Sequence, residues 1–282
     1  MNKQGFRGSS TYVLDEELAK IVNISMTLEM PLLLKGEPGT GKTMLAHAVS
    51  ESLSMELIVL NVKSSMKLVE ALYQYDTLTR LNDSRFGDSD RNVANIGDYI
   101  KMGKIGQAFT SASRCVLLID EIDKADSDFQ DDMLDVLDQM QFDIIETDEV
   151  ITALHRPVII ITSNAKKDLS DPFLGRCNFH HIAFPDPSMM RKIVDAHFPN
   201  ISGALAKNAI NIFYEMRSIE AIEKKPATRE LINWIRALLA DPDFRGGSLL
   251  KREIPYLGVL FKKSGDYRKS LDFVHKQGRF RN

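Results

Sequence analysis

The stretch Gly36-Glu37-Pro38-Gly39-Thr40-Gly41-Lys42-Thr43 decides the fold class of this chain. It follows the apolar run Pro31 to Lys35 and precedes a helical pattern over Met44 to Leu53, the strand–loop–helix context that the phosphate-binding pattern G-x-x-x-x-G-K-[ST] requires. Glycines permit positive φ, so that backbone N–H groups can close around a phosphate while the following helix adds the positive end of its dipole. Lys42 is expected to reach the β- and γ-phosphates as a point charge, and Thr43 to offer its hydroxyl to Mg2+. Gly36, Glu37, Pro38, Gly39, Thr40, Gly41, Lys42, Thr43 and the adjoining Met44 are therefore read as the nucleotide-binding segment, with ATP and Mg2+ as cofactors.

Outward from this loop, further apolar runs alternate with helical patterns: Leu57 to Val62, Cys115 to Ile119, Val158 to Thr162 and His180 to Phe184. Runs rich in Leu, Ile and Val without polar alternation belong to strands buried on both faces, so an α/β fold with a parallel five-stranded sheet between helices is expected. Phe142 to Thr147 and Val150 to Leu154 flank the turn-like Asp148-Glu149 and read as a hairpin, with a helical extension as the competing reading. Asn82 to Val93 is polar and reads as a surface loop, the segment most prone to disorder. Pro185-Asp186-Pro187 breaks regular structure. Beyond it the periodicity is helical over Ser188 to His197, Ala204 to Met216, Thr228 to Leu239, Leu250 to Phe261 and Tyr267 to His275. The expected division is a nucleotide-binding α/β core over 1–187 and a smaller all-helical lid domain with C-terminal helices over 188–282.

The run Val116-Leu117-Leu118-Ile119-Asp120-Glu121-Ile122-Asp123 is a buried strand ending in carboxylates. Ligands of open parallel sheets sit at the carboxyl ends of strands, which directs Asp120 and Glu121 at the phosphates. Asp120 suits Mg2+, an ion that keeps much of its hydration shell, and Glu121 is then free to act as general base on the attacking water. Capping of the next helix is the bland alternative for both; Asp123, Asp126 and Asp128 read as turn and helix-start residues. The strand ending at Thr162 and followed by Ser163-Asn164 repeats the logic, with the Asn164 amide able to bond both γ-phosphate and water.

Composition narrows the partners. Residues are 44% hydrophobic and 27% charged, as in a globular protein, and a formal net charge of -3 supplies no basic field for nucleic acid. The two cysteines, Cys115 and Cys177, lie beside apolar residues and read as buried thiols of a reducing compartment. No run of roughly 18 uncharged apolar residues occurs and the first residues lack a signal-peptide core, so a cytoplasmic protein without a membrane span is expected.

Taken in order, GEPGTGKT, VLLIDEIDKAD, ITSN and FLGRCNFHHIAFPDP resemble the MoxR group of AAA+ ATPases, specifically its CoxD-like branch. The similarity spans Tyr12 to Leu239, and YQYDTL, MGKIGQAF and HRPVIIITSN make it more specific than a phosphate loop alone. The resemblance implies an α/β core with a helical lid, Mg-dependent ATP hydrolysis, and a homo-oligomeric ring, usually hexameric, with nucleotide at each subunit boundary. It puts Asn164 at the sensor 1 position, Arg176 at the arginine finger, and Arg229, in Ala227-Thr228-Arg229-Glu230-Leu231, at sensor 2. It also implies chaperone-like remodelling or maturation of a partner protein, in relatives often a metalloenzyme, together with a von Willebrand factor A domain protein. Gly175 departs from the branch, which usually carries two adjacent arginines there; where the first of the two contributes to trans activation, its absence implies slower hydrolysis. The pore-loop candidate is Tyr73-Gln74-Tyr75, for which core packing is the competing reading. The alternative function is an ATP-gated binding ring in which hydrolysis is incidental; a DNA motor is disfavoured by charge.

Overall fold

The computed structural model describes residues 5–9, 12–87, 91–164, 169–241, 244 and 254–279. They fall into two compact units, one built on Leu14–Gly36 and Gly41–Ile182, the other on Glu37–Thr40 and the chain from Ala183 onward.

The strands of the first unit are β1 (Leu32–Lys35), β2 (Leu57–Asn61), β3 (Tyr73–Tyr75), β4 (Ile100–Met102), β5 (Val116–Asp120), β6 (Gln141–Ile144), β7 (Glu149–Thr152), β8 (Val158–Ser163) and β9 (Asn178–His181). Its helices are α1 (Glu16–Leu28), α2 (Lys42–Leu53), α3 (Leu68–Leu72), α4 (Thr77–Phe86), α5 (Lys104–Phe109), α6 (Ser127–Gln139) and α7 (Asp171–Gly175). Five strands form an all-parallel sheet in the order β2-β5-β8-β1-β9. The three inner strands are buried almost throughout, which is why their sequences lack polar alternation. Each fully buried Leu or Ile there contributes about 1.5–3 kcal/mol over its exposed state. β9 begins two residues earlier than the apolar pattern suggests, because its pairing with β1 starts at Asn178 opposite Leu32.

Between β2 and β5 the chain makes an excursion in which β3 and β4 pair antiparallel. It is seated by close backbone approach: a Cβ on Gly103 would stand 2.4 Å from the Ala71 carbonyl oxygen, and one on Gly106 would stand 2.2 Å from that of Leu72. Only glycine fits either position. Asn82 to Phe86, expected as loop, is the second half of α4. The Asp76 carboxylate accepts the Thr79 N–H at 3.0 Å to start this helix, and Gly87 at φ 62° closes it. No residue of α4 is buried, so its polarity reflects exposure and not absence of structure. Residues 88–90 of the expected loop lie outside the described residues.

β6 and β7 form the antiparallel hairpin, with Phe142 and Ile144 turned into the core. Tyr73 is buried and stacks on Phe142 with ring centroids 6.2 Å apart, while its hydroxyl accepts the Ile145 N–H. Packing thus accounts for this tyrosine. Tyr75 is half-buried and its hydroxyl accepts from Arg80. Cys115 and Cys177 are buried free thiols, and burial pushes Cys177 up to about 12.

The helices of the second unit are α8 (Pro187–His197), α9 (Gly203–Arg217), α10 (Thr228–Ala240), α11 (Leu257–Leu260) and α12 (Ser264–Arg279). Asp186 and Ser202 cap α8 and α9 through their side chains. Met190, Val194, Phe213, Met216, Leu231, Trp234 and Ile235 close a separate core, and the Trp234 indole N–H finds the Pro255 carbonyl at 2.8 Å. The expected helix over Leu250 to Phe261 shrinks to α11 among the described residues, since Pro255 cannot sit inside a helix. Residues 250–253 lie outside them.

Candidate nucleotide site

The loop between β1 and α2 turns through two glycines with left-handed backbone, Gly39 at φ 83° and Gly41 at φ 93°. Gly41 caps α2, whose first turn contains no acidic side chain, so the positive end of its dipole is left for an external anion. Lys42 is only 6% exposed, and its ammonium donates to the Gly36 carbonyl oxygen at 2.8 Å. Glu37 and Thr40 group with the second unit: the Thr40 hydroxyl donates to the Glu37 carbonyl, and the Glu37 carboxylate accepts from Arg217 at 3.0 Å. Arg217 lies in turn 3.5 Å above the Phe184 ring. Gly39 comes so near Ala227 that an added Cβ would stand 2.5 Å from the Ala227 methyl. Met44 points outward and is 47% exposed.

Register assembles the rest. β5 and β8 pair through Ile119 opposite Ile161, so the next residues on each strand, Asp120 and Thr162, emerge side by side. The Thr162 hydroxyl donates to Asp120 Oδ1 at 2.5 Å, and the Thr43 hydroxyl donates to the same carboxylate at 3.0 and 3.2 Å. After Asp120 the chain kinks: Glu121 is left-handed at φ 60°, ψ 50°, a conformation that costs a non-glycine residue about 1–2 kcal/mol. Its N–H is received by Thr162 Oγ1 at 2.9 Å. Of its carboxylate oxygens, Oε1 accepts the Asn164 side-chain amide at 2.9 Å and Oε2 forms an ion pair with Lys124. That bond raises the Lys124 ammonium above its ordinary value. Asn164 is held from behind, its backbone N–H donating to the buried Asp123 at 3.1 Å.

Lys42, Thr43, Asp120, Glu121 and Asn164 therefore converge at the carboxyl ends of β1, β5 and β8. Arg176 does not join them; at the end of α7 it pairs with Asp135 at 3.1 Å and Asp138 at 3.0 Å on α6. Arg229 is exposed at the second position of α10. Sequence reasoning passed over Thr162, Lys124 and the supporting role of Asp123. Thr162 alone left a trace, as the first polar residue after an unbroken apolar strand.

The donor set fits the expected ligands. A loop turned by two left-handed glycines and a helix N-terminus without an acidic side chain suit phosphate. Thr43 and Asp120 offer only oxygen, as the hard Mg2+ ion prefers, and few enough ligands for it to keep its waters.

Residues 32–185, more than half of the chain, match the family described as "ATPase family associated with various cellular activities (AAA)". The chain belongs to the AAA family of ATPases. Its AAA domain contains the entire phosphate loop, Asp120, Glu121, Thr162, Asn164 and Arg176, and leaves Arg229 outside. Similar curated proteins include the peroxisomal ATPase pex6 of Schizosaccharomyces pombe, 30% identical over 51% of this chain and 13% of that protein. A Lon protease of Mycoplasma mobile is 33% identical over 51% and 16%, and the 26S proteasome regulatory subunit 10B of Dictyostelium discoideum 26% identical over 64% and 38%. The chain thus spans well under half the length of each. Among solved structures, NtrX from Brucella abortus in complex with ADP superposes on 91% of this chain and 56% of that one, with TM-score 0.55 and 14% identity, a likeness of fold. Among the described residues no helix is long and apolar enough to cross a membrane.

Proposed function

We propose that this chain binds and hydrolyses Mg·ATP and uses the cycle to remodel or mature a partner protein. The observation that carries the reading is the hydrogen-bonded group Thr43–Asp120–Thr162–Glu121–Asn164 beside the buried Lys42. In this reading the loop N–H groups and Lys42 bind the triphosphate. Thr43 and Asp120 hold Mg2+, whose role when bound is to neutralise charge on the phosphates. Glu121 takes the proton of the attacking water and Asn164 orients that water against the γ-phosphate. Arg176 acts on a neighbouring subunit's site in a cytoplasmic, hexameric ring, and Arg229 reports nucleotide state from the lid, with the domain border at residue 187. The branch is the MoxR, CoxD-like one, the client a protein such as a metalloenzyme, and a von Willebrand factor A domain protein the companion; the stretches YQYDTL, MGKIGQAF and HRPVIIITSN support this finer reading.

Glu121→Gln tests the chemistry. The amide keeps the shape but cannot accept the proton, so ATP binding should stay within about threefold while turnover falls by roughly 100-fold or more. Turnover near that of the parent chain would place the base elsewhere. A second reading, an ATP-gated binding ring with incidental turnover, is favoured by one feature: both oxygens of Glu121 are already engaged, by Asn164 and Lys124. Steady-state hydrolysis measured with and without candidate partners separates the two, since a remodeller accelerates on meeting its client.

A further inference from the structure

We propose that Thr162 is a positioning residue of the nucleotide site, its one hydroxyl holding both the Asp120 carboxylate and the backbone kink that aims Glu121. The inference deepens the ATPase reading for its catalytic consequence; its structural half stands apart from that reading. A threonine hydroxyl has one proton and two lone pairs. The proton is committed to Asp120 Oδ1 at 2.5 Å, which leaves a lone pair for the Glu121 N–H at 2.9 Å, so both bonds form at once. Thr162 is 1% exposed on a strand flanked by β5 and β1, so a polar partner left without its hydroxyl loses a buried bond.

The two bonds do different work. β5 ends at Asp120, and in the left-handed turn that follows, the Glu121 N–H has left the sheet ladder; Thr162 receives it. The Asp120 bond is charge-assisted, the shorter and stronger kind, and fixes the rotation of the carboxylate. Thr43 also donates to Asp120, but Thr43 is the hydroxyl assigned to the metal, so Thr162 is the support that persists when Thr43 turns to its ligand. Threonine satisfies strand and site together: its β-branched body suits the sheet, and its hydroxyl serves the carboxyl end.

The test compares Thr162→Val, an isostere without the hydroxyl, with Thr162→Ser, which keeps it, in the full chain. Amide hydrogen exchange over the segment around Glu121, measured without nucleotide, should quicken by about tenfold in the valine variant and stay at the parent level in the serine variant. The Mg2+ concentration that half-saturates ATP hydrolysis should rise, and kcat should fall, by about 10–100-fold in the valine variant, with the KM for ATP changing less than about threefold. Serine should restore both. Parent-like exchange and Mg2+ dependence in Thr162→Val, or a serine variant as impaired as valine, would overturn the proposal and leave Thr162 a packing residue. If Thr162→Val does not fold, Thr162→Ala carries the same comparison. If the parent chain hydrolyses no ATP, the functional reading fails, and the exchange measurement alone still decides the role of Thr162.

Discussion

Lys42 is a cation held almost wholly out of water, with the Gly36 carbonyl oxygen 2.8 Å from its ammonium. A buried charge facing phosphate binds far more strongly than the same charge at a surface, because little solvent screens it. Lys42→Ala should therefore weaken ATP binding by roughly 100-fold or more, as loss of one partner of a desolvated charge pair does. Calorimetric affinity equal to that of the parent chain would overturn the phosphate-loop assignment. Lys42, Thr43, Asp120, Glu121 and Asn164 were legible because each stands at a position that strand ends and a glycine pattern mark along the chain. Thr162 and Lys124 were not, for a physical reason. The first depends on β5 and β8 pairing in one register and shows along the chain only as the first polar residue after an apolar run, and the second depends on a side chain folding back three residues onto Glu121.

Elements were readable where burial patterned their sequence and unreadable where, as in α4, only their ends define them. The buried strands declared themselves by composition, whereas α4 buries nothing and exists through Asp76 at one end and Gly87 at the other. α12 shows how a cap joins elements. Asp266, in its first turn and 1% exposed, accepts the N–H groups of Glu223 at 3.0 Å and Lys224 at 3.1 Å. Those bonds, the Glu223 N–H foremost, hold its carboxyl below the ordinary value of 3.8. A lowered folded-state value means that the charged form stabilises the fold above the ordinary value, and that this contribution is lost as pH falls through the lowered one. Asp266→Asn should thus melt a few degrees below the parent at neutral pH, and the gap should close as both are acidified below pH 3.8. Calorimetric scans across that range check it; a gap that does not vary with pH would show that the carboxylate charge is not what ties the 222–224 turn to α12.

At the scale of the whole molecule, the question is whether one chain is a complete enzyme. Arg176 is committed within its own chain to Asp135 and Asp138, on pairs whose side chains are 41–61% exposed. Exposed pairs of this kind are worth about 0–1 kcal/mol, so a phosphate brought to Arg176 by a second chain could take the guanidinium from α6 at small expense. A closed ring supplies such an encounter at every boundary, because each head-to-tail interface offers the same residues to its neighbour. If this chain forms such a ring, as proposed, Arg176→Ala should bind ATP within about threefold of the parent yet lose hydrolysis by roughly 1000-fold, the loss that removal of a trans-acting arginine produces. The decisive measurement mixes Arg176→Ala chains, which keep intact loops, with Lys42→Ala chains, which keep intact arginines. Neither should be active alone, but if the arginine acts in trans the mixture should regain turnover wherever a sound loop meets a sound arginine, rising to a maximum at intermediate mixing ratios. Verified co-assembly without any recovery, or full turnover by Arg176→Ala on its own, would instead mean that each chain completes its site without its neighbour and that Arg176 belongs to α6 alone.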